Sequence, residues 1–264
     1  MKRDFGVIGG SGFYKPTNDS ELEIIKTPFG DIPVYFTTMG GKEVAFIARH
    51  GEGHSSPPHL VNYRANIFAL HKLGVKQILS SSAVGSMLLN VEPGTFVVPD
   101  QFIDFTTERK RTYFDGKFEA TLHNGTKRGG VVHIDVTTPY CPDLRKHILE
   151  VGKKNKQEMK DSGVYVCTEG PRFETPAEII AYRTLGGTLV GMTSASECVL
   201  ARELGMCYAT VCLVTNFAAG MQERISVEEV FEMFNEKLSD LRKIIDKTLE
   251  LMDAKQEKCQ CLGV

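Results

Sequence analysis

The stretch TLVGMTSASECVLARELGMCYATVCLVTNFAAG, Thr188 to Gly220, constrains the fold more than any other part of the chain. A short apolar run at Thr188–Gly191 predicts a strand, the segment from about Glu197 to Leu204 predicts a helix stopped at Gly205, and Tyr208–Val214 reads as a fully buried strand. Strand, helix, strand in so short a span is the repeating unit of an α/β sheet. Polar pairs sit at both strand exits, Met192-Thr193 and Thr215-Asn216. In open α/β sheets ligands collect outside the carboxyl ends of the strands, where helix N-termini and free N–H groups meet. For Thr193 or Asn216 alone, capping the next element suffices; the matching placement at two exits points to a site.

The rest of the chain fits this frame. Asp4–Ile8, Glu21–Ile25, Pro33–Thr38 and Glu43–Ala48 read as strands between glycine and proline turns, and their short connections predict antiparallel pairing. Val61, Ala65, Phe68 and Ala69 recur at helical spacing up to Gly74, followed by a buried strand at Gln77–Ser80 and another at Thr95–Pro99. The segment Thr106–Gly130 is polar without periodicity and reads as an excursion or lid. Strands are expected at Val131–Val136 and Val164–Cys167, and helices at Asp143–Gly152 and Pro176–Leu185. Ser226-Val227-Glu228-Glu229 fits a capping box, and Val230, Phe234, Leu238, Leu241, Ile245, Thr248 and Met252 form the apolar stripe of one long helix. The expected architecture is a single mixed-sheet α/β domain with flanking helices over residues 1–264.

A chain of 264 residues, 42% hydrophobic, can bury one large core. A net charge of -2 leaves no electrostatic footprint for nucleic acid or an acidic membrane. MKRDFGVIGG enters a strand without a signal-peptide core, and no apolar run approaches the roughly 20 residues of a membrane span, so a cytoplasmic location is expected. Of the cysteines, Cys141, Cys167, Cys198, Cys207 and Cys212 lie in or beside apolar segments and read as small hydrophobes. Cys259-Gln260-Cys261 stands in a polar tail. A lone C-x-C lacks the second pair of ligands that a zinc site needs, so no metal is expected, and redox-labile or inert thiols are the alternatives.

Several segments carry chemistry. Gly9-Gly10-Ser11-Gly12 follows a strand and can offer N–H groups and a hydroxyl to an anion, but neither the dinucleotide fingerprint, the phosphate-loop motif nor the nucleophile elbow is completed. Arg49-His50 follows a strand directly; a guanidinium fork beside an imidazole suits a phosphate or carboxylate, and a salt-bridged surface loop is an equal alternative. His50 and His54 have metal-like spacing, yet Gly51, Gly53, Pro57 and Pro58 exclude the helix such a pair needs. The hydroxyls of Ser80, Ser81, Ser82 and Ser86 end a buried strand and need partners there, which a self-satisfied turn could also supply. In Thr168–Thr175, Phe173 can stack on a flat ring while Glu174 accepts from it, or Phe173 belongs to the core and Glu174 to a helix start.

Taken together, GGSGF (Gly9 to Phe13), RHGEGHSSPPHLVNYRAN (Arg49 to Asn66), SSAVGSM (Ser81 to Met87), PDQFIDFT (Pro99 to Thr106), EGPRFET (Glu169 to Thr175) and GMTSASE (Gly191 to Glu197) resemble the trimeric-type purine nucleoside and methylthioadenosine phosphorylases over nearly the whole chain. The resemblance implies pentosyl transfer: phosphorolysis of a purine nucleoside by inorganic phosphate, a co-substrate, with no cofactor or metal and a role in purine salvage. It implies that Ser11, Arg49, His50, Ser82, the Ala83 backbone and Thr193 hold phosphate and that Met192 contacts ribose. Phe173, Glu174 and Asn216 would meet the base. Asn216 and His50 would serve catalysis, Asn216 by bonding the purine N7. Relatives acting on methylthioadenosine carry aspartates where this chain has Asn216 and Ala218 and a small residue where it has Glu174. The Glu174/Asn216 pair resembles that of 6-oxopurine phosphorylases instead: a carboxylate accepts from N1–H, which hypoxanthine and guanine possess and adenine lacks, and a carboxamide donates to O6 or N7.

At the 5′ end, Val227 stands where animal 6-oxopurine enzymes place a histidine, with Val230 a turn later. An apolar lining there favours a methylthio group, so S-methyl-5′-thioinosine, inosine and guanosine are the expected substrates. The resemblance also implies a homotrimer or homohexamer, with His133 at the position where a neighbouring subunit reaches into the site. Cys141 with Cys207, and Cys259 with Cys261, resemble features of hexameric members from heat-loving archaea, and both paired and reduced forms remain open. A methylthioadenosine phosphorylase and a non-catalytic purine or phosphate sensor are the competing readings.

Overall fold

The computed structural model describes residues 3–17, 19–254, 259 and 261. In chain order the elements are β1 (Phe5–Gly9), β2 (Glu21–Thr27), β3 (Gly30–Met39), β4 (Lys42–Ala48), α1 (Tyr63–Lys72), β5 (Gln77–Ser86), β6 (Phe96–Val98), β7 (Gln101–Asp104), β8 (Asp115–Thr121) and β9 (Lys127–Val131). Then follow α2 (Pro142–Lys154), β10 (Met159–Asp161), β11 (Val164–Cys167), α3 (Pro176–Thr184), β12 (Leu189–Gly191), α4 (Ser194–Glu203), β13 (Cys207–Phe217) and α5 (Val227–Leu251). All strands but β8 and β9 join one 11-stranded mixed sheet, whose main path runs β10-β6-β13-β5-β1-β4-β3-β2, with β12 on β5, β11 on β12 and β7 on β11.

Alternation along the central strands divides the core between the two faces of this sheet. Ile8 and Tyr208 pack with Ile67 and Leu70 of α1, Ala201 of α4 and Leu204, the residue that ends α4. Val7, Phe46 and Ala209 pack with Leu144 and Ile148 of α2 and Phe234, Leu241, Ile245 and Leu249 of α5. The result is a single mixed-sheet α/β domain with flanking helices, as the sequence predicts. The strand pairing of the first fifty residues is a correction: β2–β3 and β3–β4 are antiparallel, but β1 pairs parallel with both β4 and β5. The β2–β3–β4 meander returns β4 to the edge of β1, so local hairpins generate a non-local parallel pair.

Three further differences bear on the site. Residues 106–130 are not a lid but hold most of the β8–β9 hairpin, whose Phe114, Phe118 and Ala120 pack with Phe29 and Phe68 against the α1 side of the core. Of the strand expected at Val131–Val136, only Val131 pairs; Val132 is fixed by packing against that same core, without a ladder. The strands β5 and β13 run past their predicted ends, and their parallel register slips between Val214 and Asn216. Such an irregularity re-aims the side chain that follows it, here Asn216. The capping box at Ser226 is half formed: Ser226 accepts from Glu229 N–H, while the Glu229 carboxylate takes Gln222 instead.

Candidate active site

The carboxyl ends of β1, β4, β5, β12 and β13 open onto one cavity of about 370 Å³, within the range of small-molecule sites. Ser11, Arg49, His50, Ser82, Ala83, Thr193, Phe173, Glu174, Asn216, Met192, Val227 and Val230 all line it. His133 does not; it lies exposed on the segment after β9.

Arg49 is fixed before any ligand arrives. Its Nε and Nη2 donate to the two oxygens of Glu197 at 2.5 and 2.9 Å, Nη2 also donates to Ser80 Oγ at 2.6 Å, and Nη1 donates to the Ser81 carbonyl at 2.9 Å. A guanidinium has five donors. One Nη1 N–H is therefore left over on a side chain that lines the cavity. Glu197 also accepts from Ser80 at 3.0 Å and Tyr208 at 2.7 Å, so the carboxylate of this fully buried ion pair accepts four hydrogen bonds. Burial pulls the Arg49 pKa down, but the Glu197 charge and its hydrogen bonds raise it above the ordinary value, so the residue stays cationic. Backbone glycine makes room: a Cβ on Gly10 would stand 2.6 Å from the Ser81 carbonyl and 2.8 Å from Arg49 Nη1.

The hydroxyls divide their work. Ser80 serves Glu197, Ser81 accepts from Gly10 N–H at 3.0 Å, and Ser82 with Thr193 forms a 3.3 Å hydroxyl pair on the cavity wall. Thr193 is the N-cap of α4 yet makes no capping bond with its side chain, which leaves that hydroxyl for the cavity. The helix opens at Ser194, three residues earlier than the sequence predicts, so its N-terminus stands at Thr193, whose own N–H donates to Tyr165 Oη at 3.2 Å. His50 donates from Nδ1 to the Ser56 carbonyl at 2.8 Å, because a carbonyl can only accept. Burial, then the neighbouring Arg49 charge, pushes its pKa down to about 3. At neutral pH its Nε2 is thus a lone-pair acceptor, suited to the P–OH of hydrogen phosphate.

On another wall, Asn216 is held in one orientation. Thr215 Oγ1 donates to its Oδ1 and its Nδ2 donates to the Phe217 carbonyl, both at 2.9 Å, leaving one amide N–H. A Cβ on Gly85 would stand 3.3 Å from that Nδ2. Glu174 receives the Thr168 hydroxyl on Oε1 at 2.7 Å; burial raises its pKa despite this bond. Ile225, Val227, Val230 and Phe231 add an apolar wall, and Val227 is 52% exposed at its rim.

The profile of the Phosphorylase superfamily matches residues 4–250. The chain belongs to this superfamily. The 6-oxopurine nucleoside phosphorylase of Pyrococcus furiosus is 49% identical over 97% of this chain and 95% of that protein. A probable S-methyl-5′-thioinosine phosphorylase of Methanothermobacter thermautotrophicus is 47% identical over 97% of this chain and 86% of its own length. Among solved structures, a methylthioadenosine phosphorylase from an antarctic soil metagenomic library superposes with a TM-score of 0.87 at 33% identity, covering 99% of this chain and 90% of that one.

Within this phosphorylase fold, two positioning residues escaped the sequence reading. In the sequence Glu197 appears as the last letter of GMTSASE and near the start of a predicted helix, and nothing local pairs it with Arg49. Arg109 comes from the polar excursion and stacks over Tyr63 at 5.0 Å. It donates to the Met192 carbonyl at 2.6 Å, to the Thr168 and Glu169 carbonyls at 3.2 and 2.8 Å, and to Glu169 Oε1 at 2.9 Å. It ties together the two loops that carry Glu174 and Thr193. His54, Ile225 and Phe231 also line the cavity; Phe231 follows Val227 by four residues, so helical spacing from Val227 would have placed it on the same face.

Proposed function

We propose that this chain catalyses phosphorolysis of 6-oxopurine nucleosides, S-methyl-5′-thioinosine foremost, with inosine and guanosine as further substrates, giving the free purine and a (5-methylthio)ribose 1-phosphate. The observation that carries this reading is the meeting, in one cavity, of an anion set and a neutral-amide/carboxylate pair. Arg49, Ser11, Ser82, Thr193 and the Ala83 backbone offer donors to phosphate, and neutral His50 accepts from its P–OH. Glu174 accepts from N1–H of a 6-oxopurine, and the remaining Asn216 N–H donates to N7. As the glycosidic bond stretches, positive charge grows on the ribose ring and negative charge on the departing purine. Phosphate stabilises the first and attacks C1′; Asn216 stabilises the second. The side chains of Ile225, Val227, Val230 and Phe231 offer no hydrogen bond and suit a methylthio group, and His54, edge-on to Phe231 at 5.5 Å, is the polar side chain beside them.

The same reading assigns the open rim at Val227 to a second copy of the chain, in a trimer or hexamer, with His133 as the side chain a neighbour contributes; sedimentation at assay concentration tests it. The reaction is tested by incubating the protein with methylthioinosine, inosine, guanosine or methylthioadenosine, with and without phosphate, and following free base. Release of hypoxanthine and guanine only when phosphate is present is the expected result. Phosphate-independent release, or none, contradicts it.

A further inference from the structure

The sequence places only one pair of sulfurs in Cys259-Gln260-Cys261, of which Gln260 lies outside the described residues; the fold brings a second pair to them. Cys141, Cys207, Cys259 and Cys261 come from the start of α2, the start of β13 and the segment after α5, and their sulfurs all lie within 4.8 Å of one another. Cys259 Sγ stands 3.5 Å from Cys141 Sγ and 3.2 Å from Cys207 Sγ. Four thiolates around zinc at about 2.3 Å place neighbouring sulfurs about 3.7 Å apart, whereas a disulfide needs about 2.05 Å. Cys141, Cys207 and Cys261 are buried and Cys259 is partly buried.

From this geometry we infer a structural zinc site of four cysteines, Cys141, Cys207, Cys259 and Cys261, that clips the chain beyond α5 onto the sheet. Its surroundings suit thiolate ligands. Cys141 is the N-cap of α2 and makes no capping hydrogen bond, so the positive end of a thirteen-residue helix stands at its sulfur. Cys261 N–H donates to Cys259 Sγ at 3.2 Å, the kind of backbone donor that orients and stabilises a ligating sulfur. Arg202 is buried, its Nε has no partner among the described residues, and its charge acts on Cys261. That cation offsets part of the double negative charge left when one zinc ion displaces the thiol protons. The cluster is separate from the cavity: none of the four cysteines lines it.

The test uses the full-length protein, purified with a thiol reductant, incubated with one equivalent of zinc and freed of excess. Elemental analysis is expected to find about one zinc ion per chain, and cobalt loading is expected to give the intense thiolate charge-transfer and visible bands of a tetrahedral four-sulfur site. The double variant Cys259→Ser/Cys261→Ser is expected to lose both signals while keeping phosphate-dependent base release at 25 °C, which shows that it is folded. Its thermal midpoint should fall, and zinc should no longer move it. Zinc far below one per chain, whether the four thiols are found reduced or joined as two disulfides, overturns the inference. So does a double variant that binds zinc as well as the parent.

Discussion

The wall proposed to hold phosphate and the wall proposed to face the 5′ group line the same cavity and are built on opposite plans. Around Arg49 nearly every donor is already committed: the side chain of Glu197 is 0% exposed, and its carboxylate accepts four hydrogen bonds, two from Arg49 and one each from Ser80 and Tyr208. Around Val227 the side chains of Ile225, Val230 and Phe231 are apolar, and Val227 itself is 52% exposed. The contrast teaches where chemistry and selectivity reside. A dianion must be met by donors fixed in advance, since reorienting them during the reaction would cost part of the rate. A methylthio group needs only a surface that excludes water, and such a surface can be altered without dismantling the fold.

The largest expected effect lies at the rigid wall. Arg49→Met should lower phosphate-dependent kcat/KM by about a thousandfold or more, since it removes a preorganised charge, and should lower stability by about 3–5 kcal/mol because Glu197 is left buried and unpaired. Adding Glu197→Leu should recover much of the stability and none of the turnover; denaturant melts and steady-state assays read the two separately. Recovery of turnover in the double variant would break the contrast.

Next in size is Asn216→Ala, expected to cost about a hundredfold in kcat with inosine and methylthioinosine. Unchanged turnover would remove Asn216 from the base site. A smaller effect is expected at the soft wall. Val227→His should shift the preference from methylthioinosine toward inosine by about tenfold, the scale expected when an imidazole replaces an isopropyl surface and offers the 5′-hydroxyl a hydrogen bond. Its thermal midpoint should stay close to the parent's.

The smallest concerns pH. Burial raises the Glu174 pKa, so on acidification this carboxyl takes up its proton earlier than an exposed glutamate does. The protonated form no longer accepts from N1–H of a 6-oxopurine and can donate to N1 of adenine. The ratio of kcat/KM for methylthioinosine to that for methylthioadenosine should therefore fall as pH falls, and Glu174→Gln should flatten that slope. A ratio independent of pH in the parent would place Glu174 away from N1.

Much of this was legible in the chain because the site is carried by strand ends. Arg49-His50 after β4, the serines of β5, Thr193 after β12 and Asn216 in β13 each follow an apolar run. Parallel pairing of β4 with β1, β1 with β5 and β5 with β13 brings together the ends of β4, β5 and β13, while β12, antiparallel to β5, runs back along it and sets Thr193 beside Ser82. What stayed hidden is what depends on distant partners. Glu197 stands 148 positions from the arginine it neutralises, and Arg109 sits in a stretch without periodicity, its role set by three loops that meet only in the fold. The slip in register that re-aims Asn216, and the parallel pairing of β1 with β4, are likewise products of sheet assembly. No local spacing announces them.

The account rests on Glu174 reading N1 of the purine while Asn216 holds N7, and the direct measurement is kcat/KM for methylthioinosine against methylthioadenosine at neutral pH with saturating phosphate. A preference for methylthioinosine of about a hundredfold or more is expected, because adenine leaves the half-buried carboxylate of Glu174 facing a lone pair instead of a proton. Equal turnover of the two, or a preference for methylthioadenosine, would contradict it.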